Sequence, residues 1–380
     1  MKIAILHDYL HTYGGAERVL KVILKTFPDA PFYSSCFYPS KVPLDLRGRE
    51  CHFSSLNKLP LNKYSKEIIS KFSFNVFKEF DLSSFDVILT NTSGSANWIK
   101  VKDHQIIYSY FHKIPSFQFR ANKDISESDK IQSKNNSKNL LSGIRDKFSF
   151  IDEEFAKKDK EYVNRINQII SNSKHYSENF KKIYDKEPVV IYPSIESDIS
   201  EFVKSNPKII KDDYYVFLGR IEEYKGIRFI IDACIKADKK LVIIGEGSIK
   251  DSLPIHPNII FSKQLKILKD NKELTSDAKK YEILSKAKAL INGSIEDFGI
   301  IFAESLALKT PIITLRGGGI HEISKDRNVV YFDNRNADSV ISAIKEFESK
   351  SIVVSDSDQE EILNRFSEAE FSKNLLQVVK

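Results

Sequence analysis

Cysteine is scarce in this 380-residue chain: Cys36, Cys51 and Cys234 are the only three, and none forms a C-x-x-C pair. An odd, scattered set does not make a disulfide framework, and it points to a reducing, cytoplasmic compartment. Long hydrophobic runs are also absent. No apolar stretch approaches the roughly 20 residues that a bilayer-spanning helix requires, so membrane contact is expected to be peripheral. The opening MKIAILHDYL has an apolar run, but His7 and Asp8 break it before it reaches the length of a signal-peptide core, and no cleavage site follows. Several catalytic signatures are missing as well: no G-x-S-x-G elbow, no Walker A loop, no H-E-x-x-H and no G-x-G-x-x-G. Hydrolase, P-loop and ordinary dehydrogenase chemistries lose their usual supports.

Charge of one sign is in small excess. The formal net charge is +6, with 30 Lys and Arg against 24 Asp and Glu in residues 1–200 and 28 against 28 in residues 201–380. A basic first half suits an anionic membrane surface or a phosphorylated ligand, although a lysine-rich proteome would produce the same bias. It is too diffuse for a nucleic-acid partner.

What the chain does have is alternation. KIAILH reads as a buried parallel strand, Gly14-Gly15 as a turn and AERVLKVILKTF as a helix. Strands are expected at 85–90, 104–111, 167–173 and 188–193, with helices at 65–79 and 151–165. A second series starts at YYVFLG (214–219), continues through KKLVIIG, NIIFS, AKALING, PIITL and NVVYF, and is interleaved with helices at 226–237, 277–287, 299–308 and 337–349. Strands alternating with helices imply parallel sheets covered on both faces, here two Rossmann-like α/β domains. The polar segment 194–212 reads as the linker. Residues 121–143 are polar and read as a mobile surface loop. Residues 56–80 mix Lys with Leu, Ile, Tyr and Phe, which fits a helix docked on its own domain or one lying at a membrane interface.

Three stretches could carry chemistry. In IEDFGIIFAES, Glu296 follows a strand, Gly299 permits close backbone approach and the next helix starts with unpaired N–H groups, where a phosphate is favoured. Glu304 is expected about two turns into that helix, reaching back to a ribose hydroxyl. Two glutamates eight apart arise by chance in a chain with 52 Asp and Glu; the flanking strand and helix give this pair its meaning. In FLGRIEEYKGI, a strand ends at Gly219 and places Arg220 and Lys225 at the carboxyl end of a strand, where open α/β sheets bind ligands. Two fixed cations there could neutralise a departing diphosphate without a metal; the alternative is a surface loop paired to Glu222 and Glu223. Gly245 and Gly247 in VIIGEGS, like Gly14 and Gly15, either approach a nucleotide or simply make tight turns. His112 in YSYFHKIPSF follows a strand, and a lone histidine there is more often structural than catalytic.

Taken in order, HDYLHTYGGAERVL, FDLSSFDVILTNTSG, YSYFHKIP, IISNSKHYSENFKKIY, VVIYPS, FLGRIEEYKG, VIIGEG, EDFGIIFAES, GGGIHEI and RFSEAEFSKNLLQVV make the chain resemble the family-four retaining glycosyltransferases of GT-B architecture. Within them it is most similar to the mannosyltransferase-like branch of bacterial O-antigen and capsule assembly. The resemblance implies two Rossmann-like domains facing across a cleft, 1–195 with 364–380 and 196–363, the terminal helix crossing back to the first. It implies an acceptor-binding first domain and a second that binds a nucleotide sugar, GDP-mannose or a UDP-sugar, with no metal and no other cofactor. Gly15 would face the donor phosphate and His112 the transferred sugar. Arg220 and Lys225 would bind the diphosphate and Glu296 the sugar hydroxyls. Backbone at Phe298, Gly299 and Ile300 would line the sugar phosphate, and Glu304 would hold the ribose. The acceptor would be a glycan or lipid-linked oligosaccharide, met at the cytoplasmic face of the membrane. The chain departs from the family at Tyr224, where an acidic or polar residue is usual, and at HKIP, one residue longer than the common H-T-P.

Overall fold

The computed structural model describes the chain apart from residues 12, 40, 41, 43, 45, 59–73, 122–141, 265–267, 270, 271, 274 and 275. Residues 122–141 of the expected loop 121–143, and residues 59–73 of the amphipathic stretch 56–80 with its expected helix 65–79, lie outside the described residues. The chain divides into two compact units: Met1–Ser194 with Phe371–Lys380, and Ile195–Glu370.

In the first unit, seven strands are β1 (Ile3–His7), β2 (Phe32–Ser34), β3 (Cys51–Phe53), β4 (Val87–Thr92), β5 (Ile106–Phe111), β6 (Gln168–Ser171) and β7 (Val189–Val190). They form one parallel sheet in the order β3-β2-β1-β4-β5-β6-β7. Strands β1, β4 and β5 are buried along nearly their whole length, as strands covered on both faces must be, with polar residues toward the carboxyl end of β4. Helices α1 (Gly15–Thr26), α2 (Ser116–Ala121), α3 (Ser142–Asn164) and α4 (Lys174–Tyr184) connect them. The strands β2 and β3 escape the sequence pattern because three residues are too short to show a period. Arg49 donates to the carbonyls of Leu24, Phe27 and Ala30, closing the end of α1 with a side chain distant in sequence.

The second unit carries α5 (Ser197–Ser205), β8 (Tyr215–Leu218), α6 (Ile227–Lys236), β9 (Leu241–Ile244), β10 (Ile259–Phe261), the antiparallel pair β11 (Leu268–Lys269) and β12 (Lys272–Glu273), and α7 (Ser276–Lys286). Then follow β13 (Leu290–Asn292), α8 (Ile300–Ala307), β14 (Ile312–Leu315), α9 (Ile320–Ile323), β15 (Val329–Phe332), α10 (Ala337–Lys350) and α11 (Asp356–Arg365). Its parallel sheet runs β10-β9-β8-β13-β14-β15. The segment 194–212 is thus not all linker: Ile199 is fully buried, and its burial gives α5 a reason to form.

The closing helix α12 (Glu368–Val378) brings the chain back to the first unit, where Phe371, Leu375 and Val379 join the core beside Ile5, Leu89 and Tyr110. Thr26 and Ser372 share a hydrogen bond of 2.8 Å at the same place. In the second unit, Asp358 sits buried in the first turn of α11 among Arg327, Asn328, Ser355 and Lys325.

Phe371→Ala is expected to cost the first unit about 3–5 kcal/mol, the usual loss for a buried ring, measured as a lower midpoint in denaturant. A second expectation concerns pH. The hydrogen bonds from Arg327 hold the Asp358 carboxyl well below the usual range. A depressed folded pKa stabilises above the unfolded value of about 4 and loses that contribution as pH falls. Arg327→Ala should therefore lower the thermal midpoint near neutrality, and the gap to wild type should begin to narrow only below about pH 4, as pH falls toward the depressed folded value.

Candidate active site

In an open parallel sheet, ligands bind where neighbouring strands send their connections to opposite sides, beyond the carboxyl ends. In the second unit that point lies between β8 and β13, with β9 and β10 on one side and β14 and β15 on the other. The loops leaving β8 and β13 touch there. A Cβ on Gly293 would meet the Lys225 carbonyl oxygen at 2.8 Å, so only glycine lets the backbones come so close. The contact sets Lys225 beside Glu296, Nζ to Oε1 at 2.5 Å, with the two side chains 14% and 19% exposed. Ser294 Oγ donates to the same carboxylate oxygen at 2.5 Å. Asn292 Nδ2 holds this turn by donating to Ser294 O and, at 3.0 Å, to Thr314 Oγ1.

The rest of the loop is gripped on its other side. Gly319 N–H donates to Glu296 O at 2.9 Å, and Phe298 is buried against the Phe366 ring. Gly299 then opens α8 in the left-handed region, φ 86°, and Ile300 is the first helical residue. Arg220 and Lys225 both lie over the Tyr224 ring, at 5.4 and 5.3 Å from its centroid, while Arg335 donates to Tyr224 O at 2.8 Å. An aromatic face thus gathers two cations that would otherwise repel. Arg220, Lys225, Glu296 and the start of α8 all belong to the loops at this one edge.

Three of the expected residues also have structural partners. Gly245 and Gly247 follow β9, but a Cβ on them would meet Gly219 O at 1.9 Å and Ile221 O at 2.1 Å. Packing between the loops after β8 and β9 accounts for both glycines, with Gly219 N–H donating to Ile244 O at 3.0 Å. Glu304 is the fifth residue of α8, little more than one turn in rather than two. It is 1% exposed, with its carboxylate 3.3 Å from the buried Lys280 ammonium of α7.

The first unit has its own switch point, between β1 and β4. The register places His7 opposite Asn91, and the neighbouring pair Thr92–Phe111 brings in His112 directly after β5, its N–H donating to Thr92 O. His112 Nε2 lies 2.7 Å from Asn91 Oδ1. Burial, and then the charges of His7 and Lys113, push the His112 ring down to about 3. His7 goes the other way: burial would lower its pKa, but the hydrogen bond and charge of Glu17, with the charge of Asp8, raise it. Gly14 N–H donates to Glu17 Oε2 at 2.8 Å, so this amide serves the helix cap; a Cβ on Gly15 would meet open space. Asp8 receives hydrogen bonds from Thr92 Oγ1, Ser93 N, Ser95 Oγ and Ala96 N, which ties down the loop after β4.

Asp8, His7, Glu17, Asn91, Asn292, Ser294, Lys280 and Gly319 went unread in the sequence as site-building residues. Glu17 carried a signal: an acidic residue at the third position of a helix that starts on a glycine pair is half of a capping box. The others become neighbours only through sheet register and loop packing. Among the described residues, no three His, Cys, Asp or Glu side chains gather as metal ligands, and no helix is long and apolar enough to cross a membrane.

Two parallel α/β units with ligand-type edges define the GT-B glycosyltransferase fold, and solved proteins of that fold superpose along the whole chain. One is Anabaena HepE, solved with UDP and glucose: TM-score 0.65, 15% identity, covering 100% of this chain and 99% of that one. Residues 198–369, which lie within the second unit, match the family model described as Glycosyl transferases group 1. The O-antigen chain mannosyltransferase C of Escherichia coli is 23% identical over 182 residues, 44% of this chain and 46% of the relative. An N-acetylgalactosamine-N,N'-diacetylbacillosaminyl-diphospho-undecaprenol 4-alpha-N-acetylgalactosaminyltransferase of Campylobacter jejuni is 27% identical over 179 residues, 44% and 48% respectively. The matched stretch thus spans about half the length of each of these curated relatives.

Glu304→Ala would strand Lys280 in the interior. Unfolding of the nucleotide-free protein in urea should show the second unit weakened by about 3–5 kcal/mol, the scale for removing one member of a buried pair. A role confined to ligand contact would leave that curve unchanged.

Proposed function

We propose that the protein is a retaining, metal-independent glycosyltransferase that moves a hexose from a nucleotide diphosphate donor to a glycan acceptor, lipid-linked, in surface polysaccharide synthesis. The observation that carries this reading is the Lys225–Glu296 pair at the switch point of the second sheet, beside Arg220 and the start of α8. It offers what a diphosphate sugar needs: cations and helix N–H groups for phosphate, and a carboxylate for hydroxyls.

In this reading Lys225 leaves Glu296 for the diphosphate when the donor binds, and Glu296 turns its freed oxygen to the sugar. Ser294 and Asn292 keep that carboxylate in place during the exchange. Lys280 orients Glu304 for a ribose hydroxyl. As the bond to the anomeric carbon lengthens, positive charge builds on the sugar and negative charge on the diphosphate, where Arg220, Lys225 and the α8 start stabilise it. The acceptor hydroxyl attacks from the face the diphosphate is leaving, giving its proton to a phosphate oxygen, so the configuration is kept. Unlike the paired carboxylates of glycosidases, no second carboxylate is called on as a nucleophile.

GDP-mannose is the first choice of donor, in line with the mannosyltransferase relative. A UDP-sugar is the alternative, in line with the nucleotide bound to HepE. Thermal-shift titration with GDP, UDP and their sugar conjugates separates the two, because a ligand of the folded state raises the midpoint by mass action. A shift with GDP species alone supports mannose transfer, one with UDP species alone supports the alternative, and none with either refutes the donor site. With the matching donor, Lys225→Ala should lower turnover at least roughly a hundredfold, and near-normal turnover would remove Lys225 from the mechanism.

A further inference from the structure

The hydrogen bonds at the carboxyl edge of the first sheet fix the orientation of the Asn91 amide and, through it, the proton on His112. Ala16 O can only accept, so the Asn91 amide 3.0 Å away presents Nδ2 to it. Asn91 Oδ1 is therefore the atom that meets His112, and at 2.7 Å it receives a proton from Nε2. The same reasoning fixes His7. Its Nδ1 stands 2.8 Å from the Asn91 backbone carbonyl and must donate. Its Nε2 faces Glu17 Oε1 at 3.6 Å, and Glu17 Oε2 is held by Gly14 N–H. The 2.9 Å approach of Asn91 Nδ2 to His7 Nδ1 is then a meeting of two donors, each with its acceptor elsewhere.

We propose that Glu17, His7 and Asn91 are positioning residues that lock the His112 ring with its proton on Nε2, making Nδ1 a hydrogen-bond acceptor for a sugar hydroxyl at this edge of the first sheet. The sugar rests on the transferase reading above; the proton placement does not. Asn91 is the hinge of the arrangement. Its backbone carbonyl takes the His7 proton and its side chain takes the His112 proton, so one residue couples two rings. The two rings are also pushed in opposite directions: burial would lower the His7 pKa, but the hydrogen bond and charge of Glu17 with the charge of Asp8 raise it, whereas burial, and then the charges of His7 and Lys113, lower that of His112. A neutral ring with a defined lone pair can take a hydrogen bond from a sugar hydroxyl, which a protonated ring cannot.

Nitrogen-15 spectra of the histidine side chains in the full-length, ligand-free protein test the lock. The expected wild-type pattern at about pH 7 is a neutral, Nε2-protonated His112 that persists below about pH 5, beside a protonated His7. Asn91→Ala should let His112 exchange between tautomers, and an unchanged His112 pattern there would overturn the lock. Glu17→Gln, close in shape and gentle on folding, should return His7 to the neutral form near neutrality; an unaltered His7 would cut Glu17 from the chain. A His112 protonated on Nδ1 or charged in the wild type overturns the proposal outright. With donor and acceptor present, Asn91→Ala should lower kcat about tenfold, the worth of one hydrogen bond, with little change in donor KM. The spectra need no turnover. The expected pattern with no transfer from any nucleotide sugar would keep the lock and overturn the sugar contact; transfer with the opposite pattern would overturn the lock alone.

Discussion

A lysine ammonium and a glutamate carboxylate held 2.5 Å apart with little water around them are the constraint on which the second unit's edge is organised. Each charge loses hydration on entering such a site, and only the partner and its neighbours offset that loss. Ser294 supplies a hydrogen bond to the carboxylate, Tyr224 supplies a ring face to the ammonium, and Asn292 and Gly319 hold the backbone that carries the carboxylate. In the proposed function the pair is what a donor would reorganise: a diphosphate would bring two or more negative charges to a lysine that now faces one, while Glu296 keeps Ser294.

The first unit gathers histidine, amide and carboxylate groups at its own edge. Parallel register sets His7, Asn91 and His112 on three adjacent chain segments at one sheet edge, and the glycine start of α1 turns Glu17 toward them. Asp8, next to His7, anchors the loop after β4 through four hydrogen bonds. Both edges are therefore assembled in the same way. A buried parallel sheet fixes the ends of adjacent strands to within a hydrogen bond, and short loops carry polar residues only a few positions beyond those ends.

Much of this architecture was legible along the chain. The apolar runs IAILH, VILT, YVFL, LVII and IITL announce strands covered on both faces, and the helical spacing in AERVLKVILKTF announces α1. Arg220, Lys225, Glu296 and Gly299 stood out because each follows a strand and precedes a helix. Other features were not legible. Strands of three residues carry no period, and α5 forms because Ile199 is buried. Gly245 and Gly247 looked like ligand-facing turns, yet the atoms that exclude a side chain there are the carbonyls of Gly219 and Ile221. Glu304 looked like a ribose contact alone, and the structure gives it Lys280.

The sequence by itself determined the two α/β series and which charged residues stand at strand ends, because hydrophobic period and chain order are local properties. Only the tertiary structure decided that Lys225 meets Glu296 across 71 positions, that Asn91 lies between two histidines, and that Phe371 returns to the first core. The physical reason is that strand order and register are settled by which buried faces pack together. That choice is a property of the whole sheet, and no stretch of neighbouring residues records it.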